Sequence, residues 1–181
     1  AELGLDKSEC ETIELAAPMH DIGKIGIPDQ ILLKPGKLAP EEFTVMKQHT
    51  CIGYEILKDS PSRYLQMGAV IALGHHEKYD GNGYPGGLSG DNIPLPARIV
   101  AVADVYDALS SRRCYKPAWA HKDVMQLLHT ESGRHFDPRC IDAFLRRLDE
   151  VRKIQDMLRD DRNSNYEPVA PKVRAPQETL V

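Results

Sequence analysis

Residues 13–28 read Ile-Glu-Leu-Ala-Ala-Pro-Met-His-Asp-Ile-Gly-Lys-Ile-Gly-Ile-Pro, in which an apolar helical stripe runs into a His-Asp pair. Upstream, Ser8 and Glu11 have the spacing of a capping box, which together with the stripe predicts a helix over residues 8–21. The helix is expected to end where three breakers follow, namely Gly23, Gly26 and Pro28. His20 and Asp21 are therefore predicted to lie at the end of this helix.

Apolar periodicity predicts five more helices, over about residues 40–58, 62–76, 97–112, 121–132 and 138–160. A glycine-rich loop, Asp80-Gly-Asn-Gly-Tyr-Pro-Gly-Gly-Leu-Ser-Gly90, follows the 62–76 segment, and loops of this length more often bind something than merely connect. We find no strand-like alternation, so an all-α fold is predicted. The last helix has near-heptad spacing, which leaves packing in a homodimer and a solvated extension open.

Composition limits the class of protein. The 181 residues are 41% hydrophobic, which predicts a single domain over residues 1–160, followed by a proline-containing, disordered tail over residues 161–181. A net charge of -4 argues against a basic face for DNA, and no run reaches the ~20 apolar residues that span a membrane. The four cysteines form no C-x-x-C pair, which favours reduced thiols and a cytoplasmic location.

Side chains that can bind metal interrupt the apolar faces of four predicted helices; they are His20, Asp21, His49, His75, His76 and Asp104. A single histidine on such a face is usually a core residue. Burying this many unpaired polar groups would cost several kcal/mol each, however, and a shared metal centre satisfies them together. Mixed imidazole and carboxylate ligands suit two or three Fe or Mn ions, with Zn, Ni or Mg as alternatives.

Such a centre would suit the hydrolysis of a phosphate ester. Two metal ions bridged by a carboxylate such as Asp21 can polarise a phosphoryl oxygen and activate water. Lys24 lies one helical turn beyond His20 and could neutralise a phosphate. Three further cations follow the glycine-rich loop and flank Asp104, which predicts a cationic pocket beside the metals; they are Arg98, Arg113 and Lys116.

The order of these motifs resembles the HD-GYP branch of the HD-domain phosphohydrolases over nearly all of residues 1–160. The resemblance rests on segments beginning with His20-Asp-Ile-Gly-Lys24, Lys34-Pro-Gly-Lys37, His49-Thr50, His75-His-Glu77, Asp80-Gly-Asn-Gly-Tyr-Pro85, Ala97-Arg-Ile-Val-Ala-Val-Ala-Asp104 and His135-Phe-Asp-Pro138. It implies an all-α HD-domain helical bundle that carries a long GYP loop.

The resemblance also implies roles for individual residues. The six ligand-type side chains would bind the metals, with Asp21 bridging, and Asp21 and Lys24 would act in catalysis. Lys24, Tyr84, Arg113 and Lys116 would bind the substrate. The implied reaction is hydrolysis of cyclic di-GMP to linear pGpG, and in some members to GMP, in bacterial signal transduction of the two-component type. An upstream receiver or sensor domain and contacts with a diguanylate cyclase (GGDEF) domain are implied as well.

Two departures from the family pattern bear on activity. Arg113-Cys114-Tyr115 stands where the family has Arg-Pro-Tyr, which removes a rigid turn residue. The family also places a glutamate and a histidine ligand upstream of the His-Asp helix, and residues 1–19 contain no histidine. This predicts a fragment of a longer protein with partial metal occupancy and little activity. An HD phosphohydrolase for another nucleotide and a non-catalytic module that binds cyclic di-GMP or docks a protein are the alternatives.

Overall fold

The computed structural model describes residues 2–111 and 118–163, with side chains described up to residue 157. These residues form α1 (Lys7–Ala16), α2 (Asp29–Leu32), α3 (Pro40–Lys47), α4 (His49–Leu57), α5 (Arg63–Gly74), α6 (Leu95–Ser110), α7 (His121–Thr130), α8 (Pro138–Arg146) and α9 (Leu148–Asn163). Short 3-10 helices cover Ala17–Met19, Ile22–Gly26 and Gly90–Asn92. Extended pairing in the described part is confined to isolated bridges, so the all-α prediction is confirmed.

The chain divides into two compact units, of which the first, Ala1–Arg146, contains α1 to α8. The second unit begins at Arg147 and contains α9, whose first turn is joined by an ion pair between Arg147 and Glu150 at 2.7 Å. The single helix expected over 138–160 is therefore wrong, because α8 ends at Arg146 and α9 starts at Leu148. The domain boundary at residue 160 stays a prediction, and most of the expected tail lies outside the described residues.

The first helix is shorter than expected and starts with a different cap. The Asp6 side chain accepts a hydrogen bond from the Glu9 N–H, and the Glu9 side chain accepts one from the Asp6 N–H. The capping box is therefore formed by Asp6 and Glu9, and the expected box of Ser8 and Glu11 is wrong. The α-helix ends at Ala16 because Pro18 has no N–H for an i→i−4 bond. The chain continues as a 3-10 turn, in which the His20 N–H reaches the Ala17 carbonyl at 3.1 Å.

The helix expected over 40–58 is two helices that meet at Gln48. The Nδ1 atom of His49 lies 2.8 Å from the Met46 carbonyl, and the Thr50 hydroxyl donates to the Lys47 carbonyl at 2.9 Å. These side chains occupy carbonyls that a continuous helix would use for its own i→i−4 bonds, which explains the break. As a result, His49 lies at the start of α4 and not in the middle of a longer helix.

The core that supports the site lies between α1, α5 and α6, where Ile13, Ala16, Ile71 and Val100 pack together. Helix α4 packs on α5 and on the 3-10 helix Ile22–Gly26, and small residues allow this close approach. A Cβ atom on Gly53 would lie 3.1 Å from Ala72 and 3.3 Å from the backbone of Gly23. None of the described helices combines the length and apolar character needed to cross a bilayer.

Candidate metal centre

Four neighbouring parts of the fold deliver the six ligand-type residues to one place. His20 and Asp21 follow the 3-10 turn after α1, and His49 opens α4. His75 ends α5 and His76 follows it, while Asp104 lies within α6. Five of the six residues therefore lie at a helix end or in the turn that follows it, and Asp104 lies within a helix.

Four of these residues form a compact cluster. Asp21, His49, His75 and His76 each offer one ligand atom, and these atoms all lie within 4.8 Å of one another. Oδ1 of Asp21 lies 3.5 Å from Nε2 of His49 and 3.9 Å from Nε2 of His75. His49 and His75 are almost fully buried, with 1% and 2% of their surfaces exposed.

The other oxygen of Asp21 belongs to a second group. Oδ2 of Asp21 lies 3.4 Å from Nε2 of His20, and that nitrogen lies 3.7 Å from Oδ1 of Asp104. The Lys24 ammonium donates to the same Oδ2 at 2.5 Å. The Asp21 carboxylate therefore has one oxygen in each group, which is the arrangement that a bridging carboxylate requires.

Hydrogen bonds to the backbone fix the imidazole rings with their second nitrogens toward this centre. Nδ1 of His20 lies 2.9 Å from the Ala17 carbonyl, and Nδ1 of His75 lies 3.0 Å from the Ala72 carbonyl. Since a carbonyl only accepts, each Nδ1 carries a proton, and Nε2 of the neutral His75 ring is left with a lone pair. His49 is held in the same way by Met46. His20 differs, because the hydrogen bond between its Nε2 and Asp21 raises its pKa above the usual value, so this nitrogen has to give up its proton when a cation binds.

This donor set fits a divalent cation. Nε2 of His49 and Nε2 of His75 face each other at 3.5 Å, and with both protons on Nδ1 neither nitrogen can donate to the other. Oδ1 of Asp21 is buried without a hydrogen-bond partner. Facing lone pairs and an unpaired carboxylate oxygen are costly without a cation and favourable with one. An HD domain of this kind implies divalent metal ions, and this cluster could hold one.

The electrostatics keep His75 and His76 neutral and Asp21 ionised, which are the protonation states that metal binding needs at these residues. Burial is the main cause that lowers the pKa of His75 to about 4 and that of His76 to about 2, so both rings are neutral at pH 7. Burial raises the pKa of Asp21, but hydrogen bonds from His20 and Lys24 outweigh burial and hold it well below its usual range. Asp21 is consequently a carboxylate.

The GYP loop brings Tyr84 onto the cluster. Its ring stacks on His76 with centroids 4.8 Å apart, and its N–H donates to the His76 carbonyl at 3.1 Å. Burial, followed by the charges of Asp21 and Asp104, raises the pKa of the Tyr84 phenol, which therefore stays protonated. Lys24 and Tyr84 thus both lie beside the ligand-type residues, and their roles toward the substrate stay predictions.

Glu77 has a role that the sequence motif did not reveal. Its side chain is buried, and its carboxylate accepts from the backbone N–H of Gly86 at 2.6 Å and of Leu88 at 3.0 Å. The loop also folds tightly over this residue, because a Cβ on Gly83 would lie 2.5 Å from the Glu77 Cα. The signal available in the sequence was an acidic residue directly after the His-His pair. Glu77 anchors the loop that carries Tyr84.

The expected cationic pocket is only partly described. The Arg98 guanidinium forms ion pairs with Asp91 and with the buried Asp137, at 2.6 Å each. The prediction that Arg98 lies in a cationic pocket beside the metals is therefore wrong. Asp137 also caps α8 by accepting from the Arg139 N–H at 2.8 Å. Arg113 and Lys116, predicted to hold phosphate oxygens, lie outside the described residues, as does Cys114.

Comparison of the sequence with known protein families shows which family the chain belongs to. A profile of the HD domain family matches residues 1–140, and the chain belongs to that family, in the HD-GYP branch that its motifs indicate. The chain is 58% identical over 153 residues to the cyclic di-GMP phosphodiesterase response regulator RpfG of Xanthomonas campestris pv. campestris. The aligned region covers 84% of this chain and 40% of that protein.

Two further relatives differ in the substrate that their names state. The chain is 48% identical over 164 residues to a cyclic di-GMP phosphodiesterase of Thermotoga maritima, covering 91% of this chain and 45% of that protein. It is 46% identical over 157 residues to the 3'3'-cGAMP-specific phosphodiesterase 2 of Vibrio cholerae serotype O1, covering 87% of this chain and 30% of that protein. The chain spans less than half the length of these curated relatives.

Proposed function

We propose that this chain is the catalytic domain of a metal-dependent phosphodiesterase that hydrolyses cyclic di-GMP to linear pGpG, and further to GMP if the linear product is also accepted. The observation that carries the proposal is the position of Asp21, whose two oxygens face two groups of ligand-type side chains. Two clustered metals bridged by a carboxylate are a recurring arrangement for hydrolysis of phosphate esters.

Some residues of this chain would bind the metal ions, and others would contact the substrate. His49, His75 and His76 would hold one ion with Asp21, and His20 and Asp104 would contribute to a second ion on the other side of that carboxylate. Iron and manganese suit these ligands best. Bound divalent ions would polarise the phosphoryl oxygen and lower the pKa of the attacking water.

Lys24 and Tyr84 would meet the substrate. The Lys24 ammonium is half-buried and lies against Asp21, so it can neutralise a phosphate oxygen next to the bridging carboxylate. Tyr84 keeps its phenolic proton and can donate a hydrogen bond. Arg113 and Lys116 complete the proposed phosphate contacts on the strength of the motif alone.

A second candidate substrate is 3'3'-cGAMP, because one relative of 46% identity is named for it. Both compounds are cyclic dinucleotides with the same phosphodiester chemistry, and they differ in one base. A receiver or sensor domain, contact with a GGDEF domain, a homodimer, a cytoplasmic location and the missing upstream ligands all stay predictions. The response-regulator name of one relative supports the receiver.

The test begins with anaerobic loading of the protein with Fe(II) or Mn(II), followed by counting bound metal and measuring cyclic di-GMP hydrolysis. The double variant H20A/D21A is expected to lose metal and activity together, whereas H121A, which replaces an exposed histidine at the start of α7, should change neither. A longer form of the protein, extended upstream of residue 1, is measured in parallel. Bound metal without hydrolysis in both forms would favour the non-catalytic binding module.

A further inference from the structure

An aromatic and cationic cluster continues outward from the metal centre. Phe43 on α3 lies edge-on to Tyr84 with ring centroids 6.3 Å apart, and Tyr84 in turn stacks on His76. The ammonium of Lys47, at the end of α3, lies 4.9 Å from the Phe43 centroid and 5.3 Å from the Tyr84 centroid. The three side chains Phe43, Lys47 and Tyr84, here called the rim cluster, therefore join α3 to the GYP loop beside a ligand-type residue.

The exposure and charge of the rim cluster suit a ligand. Phe43 keeps 43% of its surface exposed although it stands next to the site, and an exposed aromatic ring can stack on a nucleobase. Within residues 2–111 and 118–157, Lys47 makes no ion pair, whereas Lys24 and Lys34 are each paired with a carboxylate. Lys47 thus has donors that no carboxylate in that part of the chain uses.

We infer that the rim cluster is the base-binding subsite of the proposed phosphodiesterase, in which the exposed Phe43 ring stacks on a nucleobase, the perpendicular Tyr84 ring borders that base and Lys47 selects guanine. The inference rests on the proposed function, because one sugar separates a phosphate at the metal centre from its base. An ammonium only donates hydrogen bonds. Guanine presents the acceptors O6 and N7 on one edge, whereas adenine presents a donor amino group beside N7. Lys47 therefore fits the guanine edge and is mismatched with the adenine edge.

Three variants separate stacking from base reading. K47M keeps the apolar stem and removes the donors, so it should weaken binding of cyclic di-GMP about tenfold and leave binding of cyclic di-AMP nearly unchanged. F43L keeps apolar volume without the ring, and it should weaken both ligands by a similar factor because stacking tolerates any base. K58M is the matched control, since Lys58 lies 5.7 Å from the Tyr54 ring away from the rim cluster.

The experiment measures Kd for cyclic di-GMP and cyclic di-AMP by calorimetry on the Mn(II)-loaded protein, with KM and kcat wherever hydrolysis occurs. Equal losses for both ligands in K47M would overturn base selection and leave only attraction to phosphates. Unchanged affinity in K47M and F43L, or no binding of either ligand by the unmodified protein, would overturn the subsite. Guanine-selective binding without hydrolysis, both in this chain and in the form extended upstream, would refute the proposed function while supporting the subsite.

Discussion

Replacing Gly23 with alanine is expected to separate Asp21 from His49 and so to disrupt the metal centre. An added Cβ at Gly23 would lie 1.9 Å from the His49 carbonyl oxygen and 2.4 Å from the Gly53 nitrogen. Both of these are backbone atoms. Ordinary contact for a Cβ begins near 3.4 Å. The 3-10 turn would therefore have to move away from α4 by about 1.5 Å, because no side chain can yield.

The size of that movement sets the expected effects. Asp21 and His49 are 3.5 Å apart, and a functional site tolerates displacements of only about 0.5 Å. We expect G23A to weaken Mn(II) binding by about 100-fold or more and to lower the unfolding free energy by about 3 kcal/mol. In a domain of this size that corresponds to roughly 6–12 °C in melting temperature.

G26A provides the matched control within the same turn. Its Cβ would meet only the side chain of Ile52 at 3.0 Å, and that side chain can change rotamer. Metal binding followed by calorimetry and unfolding followed by scanning fluorimetry should therefore distinguish the two variants. Wild-type metal affinity and melting temperature in G23A, or equal damage in G26A, would refute the contact with the α4 backbone as the cause.

Three other perturbations test separate parts of the argument. Glu77→Gln would set an amide NH2 against a backbone N–H, so we expect KM for cyclic di-GMP to rise about tenfold with bound metal unchanged. The control Asp80→Asn, on the exposed part of the loop, should have little effect on KM. Metal loss in the Glu77 variant would contradict the anchoring role. Asp137→Asn leaves Arg98 without its buried partner and should cost about 3 kcal/mol of unfolding free energy, measured by urea titration. Because its arginine partners outweigh burial and lower the folded pKa of Asp137, this contribution should be present above pH 4 and fade below it, and a stability that rises on acidification would argue against it. Removal of metal with EDTA should lower the melting temperature, and Mn(II) at about 100 times its Kd should restore about 2.7 kcal/mol in the unmodified protein but not in H20A/D21A.

The sequence by itself predicted the helical class, the approximate positions of α5, α6 and α7, and the residues that cluster at the centre. The helical predictions are confirmed because they rest on local features, whereas the site residues lie together in the fold and their roles stay predictions. Apolar periodicity sets the buried face of a helix, and histidine or aspartate on such a face stands out against its neighbours. The many glycines and the proline of residues 80–90 also predicted the loop correctly, since these residue types act through their own backbone preferences.

The breaks within helices depended on interactions that periodicity does not encode. The division of the 40–58 segment at Gln48 follows from two side chains, His49 and Thr50, that occupy backbone carbonyls. The early end of α1 follows from Pro18, a local feature of the sequence, because proline has no N–H to continue the helix toward residue 21.

Only the tertiary structure decided how the ligand-type residues divide into two groups around Asp21 and which charged side chains lie next to them. Asp21 faces two groups because the 3-10 turn packs directly on α4 through Gly23, a contact between segments distant along the chain. Arg98 lies near Asp104 in sequence, yet pairing with the buried Asp137 removes it from the site. A buried carboxylate must be neutralised by whichever cation the fold brings to it, and residue spacing along a chain does not carry that information.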